Sequence, residues 1–269
     1  MISTTTAATV ESPLVPVHTT GWRGGLGNLV RKELGQWWAT RLWWVQTLIW
    51  VVLLNGVATV IMLQGAGMPP EELVTEAVQT FLLMGAMTIG IGVVLTIQGA
   101  VVGEKELGTA AWVMSKPASR ASFVLAKLIA NFVGFFATAL LIPSLIFVVQ
   151  AQLMLPVSLD YGQFALAVGI VTLSVLFYVV LTIALGCMFK GRGPVAGLGI
   201  GLVLVGQFFK GMLPMPLVMA TPWLLGDVAT SYALASPPEF NRVVPIIVTA
   251  AAAVALVCVA IWRFNREEF

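Results

Sequence analysis

The sequence predicts an all-α membrane protein: six transmembrane helices, an N-terminal interfacial helix, a short cytoplasmic helix between spans 2 and 3, and short outer-leaflet helices before span 6. Three observations predict it. Of 269 residues, 59% are hydrophobic and only 10% are charged, against roughly 25% charged in an ordinary soluble domain. The mean hydropathy is +0.97. Six apolar runs reach or approach the roughly 20 residues that a helix needs to cross a bilayer. A net charge of +2 is too small for a nucleic-acid partner. Two cysteines inside apolar runs, Cys187 and Cys258, imply no disulfide framework. The single histidine, His18, leaves no histidine cluster for a metal or a Ser-His-Asp triad.

Residues 1–27 are rich in Thr, Ser, Pro and Gly and read as a flexible cytoplasmic tail. No apolar stretch follows a basic start there, so they do not read as a signal peptide. Residues 28–269 read as a single transmembrane domain. From residue 28 to 41, Val30, Leu34, Trp37 and Trp38 recur at helical spacing. Arg31, Lys32, Glu33 and Gln36 lie around them. Tryptophan beside Lys and Arg marks a helix lying in the membrane interface.

The spans are expected at about 42–64, 77–102, 122–150, 163–189, 195–213 and 243–262. No Asp or Glu falls in any of them. Lys127, near the start of the third, is expected to snorkel to the interface, and Lys210 near the end of the fifth likewise. Pro143 is expected to kink the third span. Glycines at 85, 90, 92, 197, 199, 201 and 206 suit close helix approach. Asn55, Gln98, Asn131 and Gln207 are expected to tie helices together.

Lys and Arg set the orientation. Twelve of the fourteen lie on one side, and only Lys210 and Arg242 lie on the other. The first side is therefore cytoplasmic and holds both termini. The outer side carries Glu71, Glu72, Glu76, Asp160, Asp227 and Glu239. The outer stretch 214–241 is too apolar for a free loop, and its prolines at 214, 216, 222, 237 and 238 argue for short helices at the outer leaflet.

Acids are absent from the spans, and an ion-coupled carrier usually needs them there. No G-x-x-x-x-G-K-[ST] loop occurs, so any ATP hydrolysis takes place on a partner. No metal site or cofactor is expected on this chain. The segment 103–120, GEKELGTAAWVMSKPASR, suits a partner's push. Leu107, Ala110, Ala111 and Met114 share a face of a short helix over 104–116. Glu104 and Glu106 suit its N-terminus and Lys116 its C-terminus. Pro117 stops it, and Ser119 caps the next helix. Trp112 and Val113 are available to a partner groove.

This segment resembles the permease subunits of type-2 ATP-binding-cassette (ABC) exporters. Their pattern is an acid, Gly-Thr, a short apolar stretch, Pro-x-Ser-Arg and a Lys about seven residues on. Here it is matched by Glu104 and Glu106, Gly108-Thr109, residues 110–114, Pro117, Ser119-Arg120 and Lys127. Arg31-Lys32-Glu33-Leu34 resembles the basic start of the family's elbow helix. The resemblance implies a homodimer or heterodimer of permeases in the lipid bilayer, each bound to a cytoplasmic ATPase subunit that carries ATP and Mg. It implies ATPase coupling through Glu104, Glu106, Leu107, Gly108, Thr109, Ala111, Met114, Pro117 and Arg120, with no bond chemistry on the permease itself. It also implies export. Two rival classes are a stand-alone channel or secondary carrier, and a membrane-embedded enzyme using Asp227 with Tyr232, or Ser174. Phe81, Met84, Met87, Phe177 and Tyr178 either line an apolar path or pack in the core and against lipid.

Overall fold

A computed structural model describes residues 21–267. The expected tail lies mostly outside the described residues, and His18 wholly so. Among the described residues the elements are all helical. The N-terminal helix α1 is Leu26–Trp38. The six candidate spans are α2 (Leu42–Gln64), α3 (Pro70–Glu106), α5 (Arg120–Met154), α6 (Tyr161–Met188), α7 (Arg192–Phe209) and α10 (Val243–Asn265). The short helix α4 (Thr109–Met114) joins α3 to α5. Two further short helices, α8 (Met215–Met219) and α9 (Leu225–Ala233), stand between α7 and α10.

Helix α2 covers the first apolar run, and α3 extends beyond the second. Helix α3 begins at Pro70 rather than near 77, because Pro70 sits at the first helical position and Glu71 and Glu72 fill the first turn. Both features favour a helix N-terminus irrespective of hydropathy. Helix α7 stops at Phe209, short of the expected 213. A turn follows and Pro214 starts the next short helix.

The bundle has two ends. The proximal end holds α1, the connection 107–119, the α6–α7 turn and the C-terminal end of α10. The distal end holds the other connections. Helix α6 is the axis: 56% of its most apolar window is buried within the chain, against 22% for α7 and α10. The core around it includes a ladder of stacked rings, Phe81 on Phe147 at 4.3 Å and Phe147 on Phe164 at 5.3 Å. Phe81 and Phe177 are buried in this core. Helices α2, α7 and α10 keep wide apolar faces exposed, including Leu48, Val52, Leu198, Phe208, Ile247 and Val254. Such faces suit lipid or another subunit, since hydrocarbon chains are as apolar as leucine.

Helix α5 absorbs Pro143 through a π turn at Phe136–Leu141, immediately before it. One extra residue in the turn accommodates the missing N–H. A matching π turn, Val51–Asn55, lies in α2 against α5. The apolar distal stretch does form short helices. Helix α9 tucks against α6 and α3, burying Leu225, Val228 and Ala229.

Several span glycines serve as seats for rings rather than as helix-to-helix backbone contacts. A Cβ on Gly134 would collide with the indole of Trp37, and one on Gly206 with the indole of Trp223. Gly197 and Gly201 face open space.

Candidate coupling site at the proximal end

Helix α3 ends at Glu106, and Leu107 leads into Gly108, whose φ of 69° is the left-handed conformation that glycine adopts without strain. This reverses the chain into α4. The short helix is therefore Thr109–Met114, not the longer 104–116. Glu104 and Glu106 do not cap it, because they belong to the end of α3. The Thr109 hydroxyl donates to the Glu104 carbonyl at 3.2 Å and ties the start of α4 to α3.

Two apolar side chains stand out into solvent at this turn. Leu107 is 77% exposed and Trp112 is 65% exposed. Lys116 lies over the Trp112 ring at 5.0 Å, a cation–π contact that holds the indole in place. Val113, expected to face outward, is buried with Ala110. A six-residue helix lying against the bundle must turn one face inward, and 110 and 113 share that face. Ala111 and Met114 are half-buried. Beyond Pro117, Ser119 caps α5 as expected, its hydroxyl accepting from the Ser122 backbone N–H at 3.0 Å. The same hydroxyl donates to the Trp22 carbonyl at 2.5 Å, so the segment before α1 is pinned against the loop.

Three successive residues at the end of α3 reach four other helices and the residues just past α10. Glu104 accepts from Lys127 of α5 at 2.9 Å and from Lys32 of α1 at 3.2 Å. Lys105 donates to the Cys187 carbonyl of α6 at 3.0 Å and pairs with Glu267, just past α10, at 3.2 Å. Glu106 pairs with Arg192 at the start of α7 at 3.5 Å. Arg120 completes the set. Its guanidinium donates to the carbonyls of Phe264, Asn265 and Glu267 at 3.3, 2.6 and 2.8 Å. A cation there satisfies carbonyls that the end of α10 leaves open.

Lys127 departs furthest from expectation. It does not snorkel: it is 2% exposed. Besides Glu104, its ammonium meets both carboxylate oxygens of Glu33 at 3.2 and 3.3 Å, and it lies 5.0 Å from the Phe123 ring centroid. Glu33 is itself buried. Two lysines and two glutamates thus form a neutral cluster, which is the condition for burying charge at all. One turn further along α5, Trp37 Nε1 donates to Asn131 Oδ1 at 3.2 Å, and Asn131 Nδ2 donates to the Lys127 carbonyl at 2.8 Å. Trp37 therefore faces inward, seated on Gly134, while Trp38 and Arg31 remain exposed. Helix α1 is locked to α5 by an ion cluster and an indole.

For Lys32, burial pulls the amine pKa down, but the carboxylates of Glu104 and Glu33 more than offset this and hold it above the ordinary 10.5. A raised amine pKa contributes stability that is complete below 10.5 and lost only as pH climbs through the folded value. The Lys32 arm of the lock is therefore insensitive to pH in the neutral range.

Of the side chains considered for enzyme chemistry, Asp227 and Tyr232 lie in α9 and Ser174 lies midway along α6. Asp227 accepts from Lys210 at 2.7 Å. Arg242 lies over the Tyr232 ring at 4.7 Å. Ser174 is buried in α6.

Residue spacing could not reveal the lock, since Glu33 and Lys127 are 94 positions apart. The available signal was a lysine within an otherwise apolar span and a glutamate within the N-terminal helix, two charges that each need a partner if buried.

Residues 27–269 match the family model described as ABC-2 family transporter protein. Over 129 residues the chain is 28% identical to YxlG of Bacillus subtilis (strain 168), described as an uncharacterized transmembrane protein. That match covers 47% of this chain and 49% of the relative, so the chain spans about half the relative's length. With six helices able to cross a membrane and a family match over nearly its whole length, the chain belongs to the ABC-2 family as a multi-pass transporter protein of the permease type.

Proposed function

We propose that the chain is the permease subunit of an ABC exporter, working as a dimer with a cytoplasmic ATPase bound to each copy. The proximal end is the cytoplasmic one, because twelve of fourteen basic residues lie on that side. ATP and Mg act on the partner, and the permease makes and breaks no bonds.

The observation that carries this reading is the pairing of an exposed contact with a wired base. Leu107 and Trp112 stand out from the turn, while Glu104, Lys105 and Glu106 beside them reach α1, α5, α6, α7 and the end of α10. A side chain seated in an ATPase cleft at 107 or 112 would pass its displacement to most of the bundle at once. When the ATPase subunits close on ATP, α4 moves with them, and α1, α3 and α5 follow as a unit through Lys127. That motion changes access to a path between two permease copies.

Affinity purification of the full chain from its native membranes tests the reading. The chain is expected to bring down a subunit carrying G-x-x-x-x-G-K-[ST], and the hydrolysis rate of that subunit is expected to change when the chain is present. A chain that purifies alone and carries solute down an ion gradient without ATP contradicts it.

A further inference from the structure

A cavity of about 520 Å³ opens in the distal half of the chain, between α3, α6, α7 and the segment that leads into α9. Its size is that of a small-molecule site. It is lined on α3 from Glu76 down to Met87 and on α6 by Ser174 and Tyr178. Tyr178 is 17 residues along α6 from Tyr161, roughly 25 Å at 1.5 Å per residue, so the cavity reaches deep into the bundle.

Two of its buried hydroxyls, on Ser174 and Tyr178, are not used by the protein. Thr59, Thr88, Thr138, Thr172 and Thr182 all return their hydroxyls to the carbonyl four residues back. That bond is the usual way for a span to satisfy a hydroxyl. The hydroxyls of Ser174 and Tyr178 make no hydrogen bond among the described residues, although these residues are 2% and 3% exposed. Both residues line the cavity, so their hydroxyls are within reach of a ligand there.

Charge decides what that something is. Lys210 at the mouth is neutralised by Asp227 at 2.7 Å. Glu76 at the same mouth has no ion pair among the described residues, nor do Glu71 and Glu72 along a second hollow that shares Glu76 and Gln79 with the first. Glu71 and Glu72 suit the start of α3, but Glu76 lies beyond the first turn, where the helix dipole does not account for it. Below the carboxylate the walls turn apolar and polarizable, with Met84, Met87, Val203 and Trp223. Trp223 is held rigid by its Nε1–H bond to the Leu202 carbonyl at 3.0 Å.

We propose that this cavity binds an amphipathic cation, its positive charge drawn by Glu76 at the mouth and its apolar body packed against Leu83 and Trp223. That such a cation is cargo rests on the permease reading; that it binds does not.

The test uses the full chain in lipid nanodiscs without any ATPase, so its outcome is separate from that of ATPase capture. Tetraphenylphosphonium and tetraphenylborate, alike in shape and opposite in charge, are the probes, with binding to protein-free nanodiscs subtracted. Saturable phosphonium binding is expected. Glu76 is exposed at the mouth, so Glu76→Gln should weaken binding about threefold, as removal of one water-screened opposite charge does. Gln207→Trp, at an exposed lining position, should fill the cavity and abolish binding. Two results would overturn the proposal. One is borate binding as tightly as phosphonium. The other is unchanged phosphonium binding to either variant.

Discussion

Lys127→Met is expected to be among the most damaging single substitutions in the chain. It removes the cation from a site where Glu33 is buried and Glu104 largely so. Breaking one partner of a buried ion pair typically costs about 3–5 kcal/mol, because the remaining charge has lost its counter-ion without regaining water. The methionine fits the space, so the loss measures charge and not volume. Thermal unfolding of the detergent-solubilised chain should show a clear drop in midpoint. The double variant Lys127→Met/Glu33→Gln should recover most of it, since Glu104 still has Lys32 at 3.2 Å. A single variant as stable as the parent would mean that the Lys127 ion pairs do not hold α1 in place.

The second large effect is functional and should leave stability untouched. Leu107→Asp and Trp112→Asp alter side chains that are mostly in water, and exposed positions of this kind change stability little. Interface energy concentrates in a few large apolar anchors, with tryptophan prominent among them. Placing a carboxylate in a desolvated cleft at both positions should weaken ATPase association at least a hundredfold and abolish ATP-driven transport. The unfolding midpoint of the isolated chain should not move. Met114→Asp is the informative contrast. Met114 is half-buried against the core, so its carboxylate should destabilise the chain as well as the complex. If the double variant at 107 and 112 binds the ATPase normally, this turn is not the contact.

The spans were legible because hydropathy is a sum over 20 residues and tolerates local error. Helix α2 begins and ends where its apolar run does, and the cap at Ser119 follows from a local rule. The apolar stretch after α7 announced its short helices through its prolines. Errors arose where a residue's fate depends on a distant partner. Lys127 reads as a snorkelling lysine until α1 is laid beside α5 and brings Glu33 to it. Glu104 reads as a helix cap until Lys32 and Lys127 claim it. Trp37 reads as an interfacial tryptophan until Asn131 takes its N–H and Gly134 makes room for its ring. Val113 was placed outside for the same reason: the inward face of α4 exists only because the bundle lies under it. Each case is a tertiary contact overriding a correct local tendency.

These contacts also tie the helices of the proximal end together mechanically. An acidic triplet with a central lysine, at the end of one span, holds the helices around it in fixed relation. A push at α4 need not travel along a chain of weak contacts, since the base of the turn is already bonded to the elements that would move. Helices α2, α7 and α10 carry the exposed apolar faces that a second copy or lipid would cover.

The proposed contact with an ATPase lies at residues 107–112, where Leu107 and Trp112 are exposed. The most direct measurement is disulfide or short-linker cross-linking of Trp112→Cys to the co-purified ATPase, in a background with the exposed Cys258 changed to Ala. Cys187 is buried and can stay. The expected result is a cross-link to the ATPase subunit whose yield changes on adding ATP, with none from a control cysteine at exposed Leu153 on the distal end. A cross-link from position 153 but not from 112 would contradict both the contact and the orientation.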